Sequence, residues 1–140
     1  EEGRIGLRRV IGVDPGSRKT GYGIIEISLS KINYVTSGHI SVDHEVFPKR
    51  LGIIYSEVLE LATSYEVQEM AIEDVFLAKN PNSALKLGQA RGVAIAAGIA
   101  KDLEIFEYAA RQVKKTIVGK GGASKAQIQH MQNLNIVLRL

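Results

Sequence analysis

The sequence has 140 residues, 45% of them hydrophobic and 24% charged, with a net charge of +3; that is enough chain for one domain with a real core and an ordinary globular balance. The absence of cysteine excludes disulfides and thiolate zinc sites. No apolar run reaches the roughly 18 residues that span a bilayer and no signal-peptide pattern is present, so the expected compartment is the cytoplasm, with no membrane partner.

Residues 1–8 (EEGRIGLR) carry no clear pattern and read as an N-terminal extension; the domain is expected over 9–140. Arg9 to Asp14 is a predicted strand. Gly21 to Ser28 and Lys31 to Ile40 follow as two more, joined closely enough to suggest an antiparallel meander. Leu51, Ile54, Tyr55, Val58, Leu61 and Ala62 recur at helical spacing and predict a helix from about Pro48 to Tyr65. Gln68 to Val75 is a fourth strand. Asn80 then caps a second helix with Pro81 at its first position, running to about Lys101. Ala84, Gly88, Gly92, Ala96 and Ala100 fall every fourth residue along it, a stripe of small side chains suited to close approach of another element. A strand over Glu104 to Tyr108, a helix from Ala109 to Val118, a glycine-rich turn over Gly119 to Gly122 and a last helix from near Ser124 complete the order. The pattern fits a mixed five-stranded sheet flanked by helices better than a looser α+β sandwich.

Two of these strands end in carboxylates. Val10-Ile11-Gly12-Val13 runs into Asp14-Pro15-Gly16-Ser17, and Met70-Ala71-Ile72 runs into Glu73-Asp74. Acids at the ends of buried strands are unfavourable unless a cation compensates them, and the carboxyl edge of an α/β sheet is where ligands bind. A divalent metal is the simplest account. Magnesium prefers oxygen donors and keeps several waters, so two or three carboxylates suffice. Asp-Pro-Gly alone is an ordinary turn sequence. Alternation puts Asp14 on the face of Val10 and Gly12, where the glycine leaves room beside the carboxylate. Gly21 and Gly23 add further space for a phosphate backbone. Phe76-Leu77 is either core or an apolar pair that stacks on an unpaired base. Charge is unevenly spread: no Asp or Glu follows Glu107, whereas Arg111, Lys114, Lys115, Lys120, Lys125 and Arg139 do. That tail is either a solvated helical face or a basic surface for a polyanion. His39, His44 and His130 lack metal-ligand spacing.

These residues also resemble a known family. Ile11 to Ser17 with Thr20-Gly21-Tyr22-Gly23 looks like the opening of the RuvC family of Holliday junction resolvases. Ala71-Ile72-Glu73 with Val75 to Asn80, the run Ser83 to Ala94, and Glu107 to Lys114 with Val118-Gly119 and Lys125 look like its later motifs in the same order. The resemblance covers about residues 9 to 131. It implies a ribonuclease-H-like fold, a homodimer, and magnesium-dependent (or manganese-dependent) paired nicking of four-way DNA junctions in recombination and repair. It implies Asp14 and Glu73 as catalytic metal ligands. Phe76 then contacts an unpaired base, while Lys114 and Lys125, with Arg111 nearby, lie by the scissile phosphate. The central helix becomes a dimer seam through Ala84, Gly88, Gly92 and Ala96, and the branch-migration proteins RuvA and RuvB become partners. The family has two further carboxylates on its last helix; here no acidic residue follows Glu107, and Asp74, facing away from Glu73 along a strand, is a poor substitute. The expectation for this chain is a truncated or altered catalytic helix, cleavage far slower than in a complete relative, and junction binding with no nicking in magnesium or manganese. The rival readings are a junction-binding module without cutting, and an ATPase of the actin and sugar-kinase type, which needs a second Asp-x-Gly phosphate loop that is missing.

Overall fold

The structure is a computed structural model that describes residues 7–16, 18–29, 31–73 and 80–108. Five strands form one sheet: β1 (Leu7–Asp14), β2 (Lys19–Ser28), β3 (Lys31–Ser41), β4 (Glu69–Glu73) and β5 (Glu104–Tyr108). Helix α1 (Phe47–Ser64) joins β3 to β4, and α2 (Pro81–Ala100) precedes β5. The strand order is β3-β2-β1-β4-β5. β1–β2 and β2–β3 are antiparallel; β1–β4 and β4–β5 are parallel. The expected mixed five-stranded sheet flanked by helices is what forms.

β1 lies at the centre, so both of its faces are covered and its sequence reads as a near-continuous apolar run. Ile11 and Val13 point to one face with Ile24, Met70 and Ile72; there they meet Ile54, Val58, Leu61 and Ala62 of α1 and Ala90, Ala94 and Ala97 of α2. Val10, Ile25, Ile27, Ile32 and Ala71, on the opposite face, are buried as well. The meander turns at Leu29, which holds φ 51. Its side chain is 92% exposed.

Small residues let α2 lie close to the sheet, on a side other than the stripe of Ala84, Gly88, Gly92, Ala96 and Ala100. A Cβ built on Gly98 would stand 2.9 Å from Met70 Cε and 2.9 Å from Ile105 Cδ1. Gly98 is thus the glycine at which helix and strands meet. Gly88, Gly92, Ala96 and Ala100 are exposed and Ala84 partly so, and a Cβ at Gly88 or Gly92 meets no atom within 4 Å. The four-residue stripe faces away from the sheet, next to exposed Leu85 and Ile99. Asn80 caps α2 as expected, its Oδ1 accepting from the amides of Asn82 at 2.8 Å and Ser83 at 3.4 Å.

β1 begins two residues before its predicted start: Leu7 and Arg8, read from sequence with the extension, pair with Ser28 and Ile27 of β2. The main chain dictates this, because β2 is long enough to offer them partners. β2 likewise starts at Lys19, which puts Lys19 and Thr20 inside the strand rather than in the turn. The predicted helices after Ala109 and the turn at Gly119 to Gly122 lie outside the described residues. Among the described residues no helix is long and apolar enough to cross a membrane.

Candidate active site

Parallel pairing of β1 with β4 brings two carboxylates together. Gly12 pairs with Ala71 and Val13 with Ile72, so Asp14 and Glu73 each stand one residue past the last of these pairs. They share the sheet face of Gly12 and Ala71, opposite the helices. Both are partly buried. Burial, and then the charge of Glu73, raises the Asp14 carboxyl from 3.8 to about 6. Partial burial disfavours the charged form, and a second carboxylate on the neighbouring strand adds repulsion of like charge.

Buried glycines line the sheet face beside them. Asp14 pairs with Gly21 and Gly12 with Gly23 across β1 and β2, so three glycines occupy the same face next to the carboxylates. The turn that ends β1 is held by Thr20, which is 1% exposed. Its hydroxyl donates to the Gly16 carbonyl at 3.2 Å and accepts from the Gly16 amide at 3.5 Å. A Cβ on Gly16 would lie 2.2 Å from the Lys19 carbonyl oxygen; only glycine permits a turn this tight. On the other side of the sheet, Arg91 of α2 reaches the same edge. Its Nε donates to the Glu73 carbonyl at 3.0 Å, and its guanidinium also pairs with the Glu107 carboxylate on β5.

Two oxygen acids of like charge at one strand edge, beside three glycines, suit a hard divalent cation. Among the described residues no three His, Cys, Asp or Glu side chains cluster to hold a metal. Of the site residues expected from sequence, Asp14 and Glu73 converge. Asp74, Phe76, Arg111, Lys114 and Lys125 lie outside the described residues. The sequence gives Thr20 and Arg91 a place in motifs but no individual role in the site. A threonine inside a glycine-rich strand, and an arginine on a helix otherwise lined by alanine and glycine, were the available signals.

A meander of three antiparallel strands, extended by two parallel ones, with acids ending the central pair, is the ribonuclease-H-like arrangement of a nuclease. Comparison with known proteins narrows this. The family described as crossover junction endodeoxyribonuclease RuvC matches residues 10–140. A protein of that name from Serratia proteamaculans is 57% identical over 122 residues, 87% of this chain and 70% of its own length. One from Dichelobacter nodosus is 54% identical over 123 residues, 88% and 70% of the two chains. The structure of Thermus thermophilus RuvC in complex with a Holliday junction substrate superposes with a TM-score of 0.74 at 25% identity, covering 95% of this chain and 82% of that one. The chain belongs to the RuvC family of crossover junction endodeoxyribonucleases.

Proposed function

We propose that this chain is a structure-selective, metal-dependent endodeoxyribonuclease that resolves four-way DNA junctions in recombination and repair. Two supports carry the reading: family membership, and the convergence of Asp14 and Glu73 at the ends of adjacent strands. The Thermus relative's complex with junction DNA points to the same substrate. Asp14 and Glu73 would hold Mg2+, or Mn2+ in its place. Bound there, a divalent ion lowers the pKa of water and stabilises the leaving oxygen of a phosphodiester. The protein's own contribution is positional. Gly12, Gly21 and Gly23 let a phosphate backbone approach the carboxylates; Thr20 and Gly16 fix the turn that aims Asp14; Phe76 contacts an unpaired base at the junction centre. Lys114, Lys125 and Arg111 neutralise phosphates near the scissile bond.

Paired, symmetric nicks require two sites related by a two-fold axis. Helix α2 is the seam of the homodimer in this reading. Gly88 and Gly92 have open space where a side chain would be, and Leu85 and Ile99, 64% and 60% exposed, supply apolar area beside them. RuvA and RuvB are the branch-migration partners, and the bacterial cytoplasm is the compartment. The test is to map cuts on a four-way junction and on linear duplexes of the same arms. Nicks at symmetry-related positions in the junction alone support the nuclease. Selective binding with no nicks, or equal binding of junction and duplex, counts against it.

A further inference from the structure

Glu73 is the last residue of β4. The β1–β4 pairs run up to Val13 and Ile72, and Glu73 pairs with Tyr108 of β5. The direction of the Glu73 carboxylate depends on that last peptide.

Arg91 grips this point from behind. It projects from the rim of α2 that packs on the sheet, next to buried Ala90 and Ala94. Its Nε donates to the main-chain carbonyl of Glu73 at 3.0 Å. Its terminal nitrogen pairs with Glu107, which faces Ile72 across the β4–β5 ladder. One planar group therefore ties the last residue of β4 to the end of β5 and both to α2. The Arg91 side chain is only 18% exposed, which strengthens a charge-assisted hydrogen bond relative to a surface one. It approaches from the helix side of the sheet and so does not occupy the opposite face, where Asp14 and Glu73 sit.

We infer that Arg91 is a positioning residue for the site: by holding the Glu73 carbonyl and the Glu107 carboxylate together, it fixes the Glu73 carboxylate beside Asp14. This rests on the reading of Asp14 and Glu73 as the pair that holds the divalent ion. Lysine cannot replace it, because a single ammonium lacks the fixed fork that spans a carbonyl on one strand and a carboxylate on the next. The same side chain also makes α2 part of the site's support, since a shift of that helix relative to the sheet moves the Glu73 peptide.

The experiment measures Mn2+ binding to the DNA-free protein by water-proton relaxation, for wild type, Arg91→Lys, Arg91→Gln, Glu107→Gln and Glu73→Gln. Junction binding in EDTA and thermal melting are recorded for each. Loss of an outer residue that orients a ligand typically weakens metal affinity about 10–100-fold. Arg91→Lys and Arg91→Gln are expected to weaken Mn2+ binding at least tenfold while the metal-free junction affinity stays within about twofold of wild type. Glu107→Gln, which leaves the bond to the Glu73 carbonyl, should fall between. If Glu73→Gln binds Mn2+ like wild type, the metal reading itself fails. If Glu73→Gln loses Mn2+ but Arg91→Lys and Glu107→Gln both keep wild-type affinity, the metal reading stands and the positioning role is overturned. Those two variants carry the decision should Arg91→Gln not fold.

Discussion

Replacing Asp14 by asparagine should stabilise the protein at neutral pH, an unusual result for a partly buried site residue. The folded carboxyl titrates at about 6 against an ordinary 3.8, through burial first and Glu73 second. Between those values the folded state holds more protons than the unfolded chain. Wild-type stability therefore falls as pH rises through that window, and the loss is complete above about 6. At about 1.36 kcal/mol per pKa unit the upper bound is roughly 3 kcal/mol. Asp14 is only partly buried, so solvent screening brings the expected figure to about 1–2 kcal/mol. Asp14→Asn keeps the shape and has no charge to desolvate. Its urea midpoint should exceed that of wild type at pH 8, with melting raised by about 3–10 °C. The gap should close towards pH 4.5. Millimolar Mg2+ should stabilise wild type and leave Asp14→Asn unmoved, because only the former gains a ligand in the folded state. A variant less stable than wild type at pH 8, or a gap independent of pH, would refute the argument that these two acids repel each other in a partly dry site.

Three further outcomes follow from particular contacts. Gly16→Ala should destabilise by about 1–3 kcal/mol in urea titration, because its Cβ would stand 2.2 Å from a main-chain oxygen that has no flexible end to move. Gly98→Leu and Gly92→Leu should separate folding from assembly. The first collides with Met70 and Ile105 and lowers monomer stability; the second meets open space within the chain, leaves the fold intact, and shifts the sedimenting species towards monomer if α2 is the seam. Junction affinity should fall with salt, with a log–log slope of roughly −0.9 for each phosphate neutralised on the duplex arms; Lys114→Ala and Lys125→Ala should each flatten it.

Much of this architecture is legible in the residues because local signals and burial agree. The apolar run of β1, the 3.6-residue stripe of α1 and the Asn80-Pro81 start of α2 each have one physical reading. Asp14 and Glu73 are legible as candidates for the same reason, since acids rarely end buried strands without a purpose. Their convergence is not legible without knowing that β1 and β4 are neighbours and parallel. The register of a non-local pair is set by the whole sheet and leaves no mark on either strand. Which side of α2 meets the sheet is also not legible. Spacing marks Gly88 and Gly92 as one face, whereas the face that meets the sheet is Ala90, Ala94, Ala97 and Gly98, because a helix apolar nearly all round gives no local clue to which side is in. Arg91 was overlooked because its value lies in two acceptors, on β4 and β5, that only the fold brings together.

The most direct test of the account incubates wild type and Asp14→Asn with a symmetric four-way junction in Mg2+ or Mn2+, with binding of both followed in EDTA. The account predicts that both proteins bind, and that wild type introduces paired nicks at symmetry-related positions only when the metal is present. Those nicks should be slow if Asp14 and Glu73 are the site's only carboxylates, and absent with Asp14→Asn. Equal nicking by both proteins, or tight selective binding by wild type with no nicks at any time, would contradict it.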